Sequence, residues 1–231
     1  MDGDAHAAGR GGDAAAGSDS SPGAQGERWS YFGWAERPYF QAMRVFRYGL
    51  FRPLLGGLAR RGLRPNHITG ASFLVILLGF PLFFGARQYG LAFAALALHL
   101  LLDGFDGPLA QLLGTQGRAQ GALMDMSNDV TGMVIVVLTA AYFPESAAGV
   151  PTFIGAVYVV TYLYVTIFAV AQNLLNIHYA YVVKTKYAIY VLLFAKWLTG
   201  LELVTPIMVL ASVYMGVSAF FGFMRVARTL R

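Results

Sequence analysis

Hydrophobic residues fall into six long runs along the chain, separated by polar stretches. The runs cover residues 68–85, 91–113, 122–143, 152–175, 187–201 and 206–224. Most approach the roughly 20 residues that an α-helix needs to cross the apolar core of a bilayer, and the fifth run is the shortest. None shows the strict apolar–polar alternation of a membrane β-barrel. The pattern therefore predicts an all-α integral membrane protein with six transmembrane helices.

The region before the first run divides into two parts. Residues 1–28 are rich in Gly, Ala, Ser and Asp, with almost no large apolar side chains, which predicts a disordered tail. Residues 29–64 form a juxtamembrane segment in which apolar residues recur at helical spacing between arginines over 38–61. This predicts an amphipathic helix on the anionic cytoplasmic leaflet, bent at Pro53. Residues 65–231 then make up the six-helix membrane domain.

Composition and charge agree with a membrane protein and set its orientation. Hydrophobic residues make up 57% of the 231, charged residues 13%, and cysteine is absent, which excludes a soluble globular domain, disulfides and thiolate metal ligands. Of the loops on the opposite side, only the first carries a basic residue, Arg87. By the positive-inside rule, both termini and the loops after the second and fourth runs are cytoplasmic. The basic residues thus follow the membrane topology, and no nucleic-acid partner is predicted.

Acidic residues are rare near the membrane and are placed in pairs. Between residues 37 and 143 the acidic residues are Asp103, Asp106, Asp125 and Asp129, all in apolar stretches. At about 2.5 to 3.5 kcal/mol for each charge at a bilayer centre, they require compensation by a cation. Spacings of three and four residues put each pair on one helix face. Two adjacent helices could thus present four carboxylates to a divalent metal, and we expect two Mg²⁺ or Mn²⁺ ions there.

The sequence around these aspartates matches a known signature. Residues 103–111 read DGFDGPLAQ, and after nine residues 121–129 read GALMDMSND. This resembles the signature of the CDP-alcohol phosphotransferase family, DxxDGxxAR followed by GxxxDxxxD, at seven of eight fixed positions. The segment 65–69, PNHIT, resembles the family's entry to its first span. The resemblance covers about residues 38–231.

The resemblance implies a reaction and roles for the aspartates. In this family a hydroxyl attacks the phosphorus of a CDP-linked alcohol, CMP leaves, and a phosphodiester results. Asp103, Asp106 and Asp125 would be metal ligands, and Asp129 would be a ligand or the general base. With CDP-diacylglycerol as donor and a small polar alcohol as acceptor, the product is a phospholipid. The family also suggests a homodimer.

A second group of residues is expected around the nucleotide. Small residues next to the aspartates would let it lie close to the helix backbones. Asn66 and Thr69 would help to hold it, or would be only an N-cap and a first-turn hydroxyl of the first span. The predicted nucleotide-binding residues are Asn66, Thr69, Asp103, Gly107, Ala110 and Gly121.

One position departs from the signature. Gln111 stands where the family has arginine. The positive charge and the planar pair of hydrogen-bond donors that arginine offers are therefore weakened here or supplied by another residue. Arg118, in the same short loop, is the candidate substitute. This hypothesis predicts that Arg118→Ala strongly reduces activity while Gln111→Arg is tolerated; unchanged activity in Arg118→Ala would contradict it.

The acceptor is expected near the loop after the fourth run. Its polar residues could form a pocket for a polar or phosphorylated alcohol, or an interfacial loop that meets lipid headgroups. The candidates for the pocket are Asn173, Asn176, Lys184 and Lys186, with Gln172, His178 and Thr185 beside them.

Two other polar residues lie within the runs. His99 is four residues before Asp103 and is expected either to support the site or, as we favour, to bond a neighbouring span. Lys196, beside Trp197, is expected to extend toward the membrane surface.

Four alternatives stay open at this point. The aspartates could form a polar seam between helices, although Ser, Thr, Asn or Gln usually do this. They could line the ion path of a transporter, which would not explain the glycines. The enzyme could use CDP-choline or CDP-ethanolamine with diacylglycerol as acceptor. Finally, Gln111 could mark a degenerate member that binds nucleotide but turns over poorly.

Overall fold

The computed structural model describes residues 37–115, 119–175, 177 and 185–230, and within these residues it contains helices and connecting loops but no strand. In order, the α-helices are α1 (Arg37–Arg60), α2 (Pro65–Leu74), α3 (Phe80–Gly85), α4 (Tyr89–Leu112), α5 (Ala119–Tyr142), α6 (Thr152–Leu174), α7 (Lys186–Thr199) and α8 (Val204–Thr229). A π-helical segment, Val75–Gly79, joins α2 to α3. The prediction of an all-α fold is confirmed for the described part of the chain.

Five of these helical stretches are long and apolar enough to cross a membrane. They are Pro65–Gly85, which runs from α2 through the π-helical segment to α3, and then Tyr89–Leu112, Leu123–Tyr142, Thr152–Gln172 and Val204–Thr229. The fifth predicted span corresponds to α7, which has 14 residues and falls short of the usual spanning length. The apolar helices indicate a multi-pass membrane protein.

The helix predicted before the first span is present as α1, with Pro53 inside it. Its second half packs against α4, where Leu55 and Phe51 meet Phe105 and Leu109. The Phe51 and Phe105 rings lie edge to face, with centroids 4.7 Å apart. The helix therefore covers the end of α4 that carries the aspartate signature.

The start of α2 differs in detail from the prediction for Asn66. The N-cap of α2 is Arg64, and its backbone amide donates to His67 Nδ1 at 3.4 Å. Pro65 follows as the first helical residue, where its missing N–H costs nothing. Asn66 is thus an exposed first-turn residue, and its interpretation as the N-cap was wrong.

The core lies between the spans and is filled by closely packed side chains. α2 packs on α4 and α5, α5 packs on α6, and α6 makes its main contact with α8. Small residues set these helix separations. A Cβ on Gly155 would lie 2.6 Å from the Ala141 Cβ, so α5 and α6 cross there in close contact. Gly216 and Gly222 of α8 both face α6, opposite Thr161 and Phe168, and so serve internal packing.

We expect Gly155→Ala to lower the melting temperature of the detergent-solubilised protein. The added methyl overpacks the α5–α6 contact, and such overpacking costs about 1 to 3 kcal/mol. Gly216→Ala is the matched control, because its Cβ would meet its nearest neighbour at an ordinary 3.9 Å. Equal melting temperatures for the two variants would contradict the close crossing.

Candidate active site

Helices α4 and α5 bring three of the predicted carboxylates to one point. Asp103 lies near the end of α4, and Asp125 and Asp129 lie one turn apart near the start of α5. Oxygen atoms of these three side chains lie within 4.8 Å of one another. Asp129 is buried, whereas Asp103 and Asp125 are partly exposed. Like charges this close repel strongly, so the cluster requires a cation.

Asp106, the fourth aspartate, accepts hydrogen bonds from α2 and from the backbone amide of the residue that follows it. Its Oδ2 accepts from the Thr69 hydroxyl at 2.9 Å, and its Oδ1 accepts from the Gly107 amide at 2.6 Å. The Thr69 hydroxyl also lies 3.2 Å from the Pro65 carbonyl oxygen. The structure thus joins two predicted site residues, Thr69 and Asp106, and fixes the rotamer of a largely buried carboxylate.

A lysine reaches the carboxylate cluster from the start of α7. Lys186 is 0% exposed, its Nζ forms an ion pair with Asp129 Oδ1, and it lies 3.5 Å from Asp103 Oδ2. The same Nζ lies 4.7 Å from the centroid of the Tyr187 ring, within the range of a cation–π contact. A cation at a helix N-terminus faces the unfavourable end of the helix dipole. The carboxylates therefore stabilise Lys186 in this position.

Behind the cluster, a chain of buried polar groups supports Asp103. Asn128 Nδ2 lies 3.1 Å from Asp103 Oδ1 and 3.3 Å from Ser72 Oγ. Ser72 Oγ in turn lies 2.8 Å from His99 Nδ1. Three helices, α2, α4 and α5, are tied together by these contacts. Because each member is buried, the chain limits the orientations that the Asp103 carboxylate can take.

His99 does what we favoured from the sequence and bonds a neighbouring span, through Ser72. Its ring lies against Gly132 of α5, where a Cβ would be only 2.9 Å from Nε2. Within the described residues, His99 Nε2 and the Tyr190 hydroxyl are both buried without a hydrogen-bond partner. Both lie close to Gly132, so this glycine makes room for a buried polar pair behind the cluster.

Asn128→Leu is expected to weaken divalent-metal binding and activity about 10- to 100-fold, the usual cost of losing a group that orients a ligand. Leucine keeps the approximate size but cannot donate to Asp103 or Ser72. Apparent metal affinity, from the Mn²⁺ dependence of CMP release, measures the effect. Ser127→Ala, at the exposed neighbouring position, is the control and should match the wild type. Wild-type affinity in Asn128→Leu would show that Asp103 needs no such support.

The small residues predicted around the nucleotide border open space. Among the residues that the structure describes, none comes within 4 Å of a Cβ built on Gly107 or on Gly121. Both glycines are exposed, as is Asn66, and Ala110 is half-buried. Space next to the carboxylates is what a bound nucleotide requires. The nucleotide roles of these residues remain predictions.

Several predicted residues are not brought to the cluster by the described structure. Gln111 is exposed near the end of α4. Arg118, Asn176 and Lys184 lie outside the described residues, as does the side chain of Asn173. Lys186 is the one member of the predicted acceptor group with a described contact to the carboxylates.

Two contributors, Ser72 and Asn128, were not assigned a role from the sequence. Ser72 is one turn after Thr69 on α2, and Asn128 precedes Asp129, so both spacings were available as signals. Their roles depend on helix packing, because their partners are distant in the sequence. Ser72 bonds His99, 27 positions away, and Asn128 bonds Ser72, 56 positions away.

Lys196 has partners that the sequence did not indicate. It forms an ion pair with Glu202, and its Nζ donates to the Gly149 carbonyl oxygen. Through these two contacts, Lys196 of α7 connects the loop after α5, which contains Gly149, to the loop after α7, which contains Glu202. This connection lies at the end of the bundle away from the aspartates. Partial burial raises the pKa of Glu202, but hydrogen bonds from Lys196 and the Thr205 amide outweigh it and hold that pKa below its usual value.

The donor set of the cluster suits a hard divalent cation. Carboxylate oxygens are the usual protein ligands of Mg²⁺ and Mn²⁺, and three of them converge here. Gly121, one helical turn before Asp125 on α5, has no described atom within 4 Å of a Cβ built on it. The fold and the cluster together define a helical membrane protein with an acidic site that could hold a metal ion.

Comparison with known families identifies the class. The CDP-alcohol phosphatidyltransferase family matches residues 63–224, and the chain belongs to this family. The match includes all four signature aspartates and begins just before α2. No curated protein matches the chain at a significant level. This family consists of transferases, and membership supports a general role in head-group transfer during phospholipid synthesis.

Proposed function

We propose that this protein transfers a phosphatidyl group from CDP-diacylglycerol to the hydroxyl of a small polar alcohol and releases CMP. The observation that carries the proposal is the convergence of Asp103, Asp125 and Asp129 in a chain of this family. Membership supports a CDP-linked donor and an alcohol acceptor in a membrane. The lipid-linked donor is part of the proposal, and the experiment below tests it against a CDP-linked head group.

The proposed topology has six spans and a cytoplasmic active site. α7 would be the fifth and shortest span, since it lies in the chain between α6 and α8, which are both long and apolar enough to cross a membrane. The basic residues of the connecting segments favour cytoplasmic termini. In this orientation α1 lies at the cytoplasmic surface over the end of α4, where a water-soluble acceptor and the departing CMP have access.

The carboxylates would hold Mg²⁺ or Mn²⁺ on the cytoplasmic side. Asp103, Asp106 and Asp125 are the proposed ligands, with Asp129 as a further ligand or the general base. When bound, the metal neutralises charge on the diphosphate of the donor. Asn128 orients Asp103, and Thr69 orients Asp106, so that both carboxylates are set before the donor arrives.

The transfer itself requires one proton acceptor and one leaving group. The acceptor oxygen forms a bond to the phosphorus that carries diacylglycerol, the bond from that phosphorus to the bridging oxygen breaks, and CMP leaves with the electron pair. The hydroxyl proton passes to Asp129. Gly107 and Gly121 leave room for the nucleotide, and the segment before α7 would contribute to the acceptor pocket through Asn173, Asn176 and Lys184.

The proposal is tested by CMP release from the purified protein. Protein in detergent or nanodiscs is incubated with CDP-diacylglycerol, Mg²⁺ or Mn²⁺ and a panel of polyols, amino alcohols and their phosphates. Release that depends on one acceptor, with formation of the matching phospholipid, is the expected result. Release only with CDP-choline or CDP-ethanolamine and diacylglycerol would reverse the donor assignment. No release with either set would indicate a degenerate member, with Gln111→Arg as the first reversion.

A further inference from the structure

Two buried polar groups behind the carboxylate cluster have no part in the proposed reaction. His99 is 0% exposed and Tyr190 is 2% exposed. Among the residues that the structure describes, neither His99 Nε2 nor the Tyr190 hydroxyl has a hydrogen-bond partner. A Cβ built on Gly132 would lie 2.9 Å from His99 Nε2 and 3.5 Å from the Tyr190 hydroxyl oxygen. The two polar atoms therefore approach the same point on α5, at a residue that has no side chain.

The contacts of Ser72 determine which nitrogen of His99 carries the proton. The Ser72 hydroxyl donates to the His99 carbonyl oxygen at 3.1 Å, so it has no second proton for the ring. His99 Nδ1 lies 2.8 Å from Ser72 Oγ and 3.3 Å from the Ser72 carbonyl oxygen, which can only accept. Nδ1 is therefore the protonated nitrogen. In a neutral imidazole Nε2 then accepts a hydrogen bond.

The Tyr190 hydroxyl is placed to supply that hydrogen bond. Tyr190 lies on the buried face of α7, one turn after Lys186, and its ring is part of the core. A phenylalanine would fill nearly the same volume, whereas a buried hydroxyl without a partner is destabilising. Because the hydroxyl and His99 Nε2 both approach Gly132, a small side-chain movement or one bridging water connects them.

We propose that the Tyr190 hydroxyl donates to His99 Nε2, directly or through one water, and that Tyr190 and His99 are thereby positioning residues for Asp103. From His99 Nδ1 the hydrogen bonds continue through Ser72 and Asn128 to the Asp103 carboxylate. This inference rests on the proposed metal-dependent function. It adds α7 to the three helices that set the orientation of the Asp103 carboxylate.

Solid-state ¹⁵N NMR tests the hydrogen bond independently of activity. The full chain contains four histidines, and His6→Gln, His67→Gln and His178→Gln together leave His99 as the only labelled ring. We expect a protonated Nδ1 and an unprotonated Nε2, whose resonance moves in Tyr190→Phe because its donor is lost. A proton on Nε2 would overturn the inference, as would an Nε2 resonance that Tyr190→Phe leaves in place.

Mn²⁺ binding tests the positioning role. The full chain in detergent is titrated with Mn²⁺, and electron paramagnetic resonance measures the free ion. We expect Tyr190→Phe to weaken the apparent affinity about 10-fold, the lower end of the effect of losing a group that orients a metal ligand. Tyr214→Phe is the matched control and should bind Mn²⁺ like the wild type, because it removes a hydroxyl from an exposed position on α8.

A double-mutant cycle separates positioning through Asn128 from a general loss of packing. In an Asn128→Leu background the chain to Asp103 is already broken, so Tyr190→Phe should change the affinity by less than about 2-fold. An equal loss of affinity in both backgrounds would overturn the positioning role. Wild-type affinity in a Tyr190→Phe protein whose circular dichroism is unchanged would overturn it as well.

CMP release from the same samples distinguishes this inference from the proposed function. Wild-type protein that releases CMP, together with a Tyr190→Phe protein that binds Mn²⁺ normally, would reject only the role of Tyr190. Wild-type protein that neither binds Mn²⁺ nor releases CMP would reject the proposed function, and with it the positioning role.

Discussion

Asp129→Asn is expected to lower the rate of CMP release by at least about 100-fold, because the change removes either the proton acceptor or a metal ligand. The variant should also be less stable. Lys186 is fully buried against Asp129, and breaking a buried ion pair by removing one partner costs about 3 to 5 kcal/mol. We expect the lower end of this range, since Asp103 remains near the ammonium at 3.5 Å. Initial rates and the melting temperature measure the two effects separately.

The double variant Asp129→Asn/Lys186→Met separates catalysis from stability. Removing the lysine as well eliminates its uncompensated charge, so the melting temperature should recover most of the loss. Activity should not recover, because the carboxylate is still absent. Glu202→Gln is the control for loss of an acidic partner outside the site, and it should keep wild-type rates. An active Asp129→Asn enzyme would exclude both proposed roles of this residue.

Much of the fold could be predicted from the sequence because membranes impose long apolar helices. The two runs that contain the signature appear as α4 and α5 within a few residues of their predicted limits. α7 shows where this reasoning weakens. Its apolar run was already the shortest, and the helix has 14 residues, so hydropathy alone does not establish whether it crosses the bilayer. The π-helical segment in the first span has no signal in a hydrophobicity pattern.

The candidate site was predictable only where the signature supplies residues at fixed spacing. Convergence of Asp103, Asp125 and Asp129 follows from helical geometry once α4 and α5 are neighbours. The ion pair of Lys186 could not be read in this way. Its partners Asp129 and Asp103 lie 57 and 83 positions earlier in the chain. That a lysine rather than another cation reaches them depends on how α7 meets α5. For the same reason, Ser72 and His99 gained their connection to Asp103 only from packing.

The structure also explains why a charged cluster is tolerated in so apolar a chain. Asp103 has Asn128 and Lys186, Asp106 has Thr69, and Asp129 has Lys186. Each of these carboxylates is therefore compensated before any ligand binds. A polar seam that only glued helices would need none of the open glycine surface beside it. Compensated carboxylates with glycines one turn away are better explained by a site that receives a charged substrate.

Removal of divalent metal is expected to abolish CMP release entirely, which is the second large effect. Without the metal, the diphosphate of the donor would approach clustered carboxylates whose repulsion the Lys186 ammonium offsets in part. Dialysis against EDTA followed by addition of Mg²⁺ or Mn²⁺ should eliminate and then restore the rate. Asp125→Asn should move the metal dependence to higher concentrations, because one oxygen donor is lost.

The same titration separates metal binding from nucleotide binding at the α5 part of the cluster. Gly121→Ala adds a methyl one turn before Asp125, where no described atom lies within 4 Å, so metal affinity should stay near the wild-type value. A methyl there would instead raise the KM for CDP-diacylglycerol if the nucleotide lies against α5 as proposed. Full activity in EDTA would contradict a metal-dependent transfer. An Asp125→Asn titration identical to that of the wild type would exclude Asp125 as a ligand, and the proposed ligand set would then be wrong.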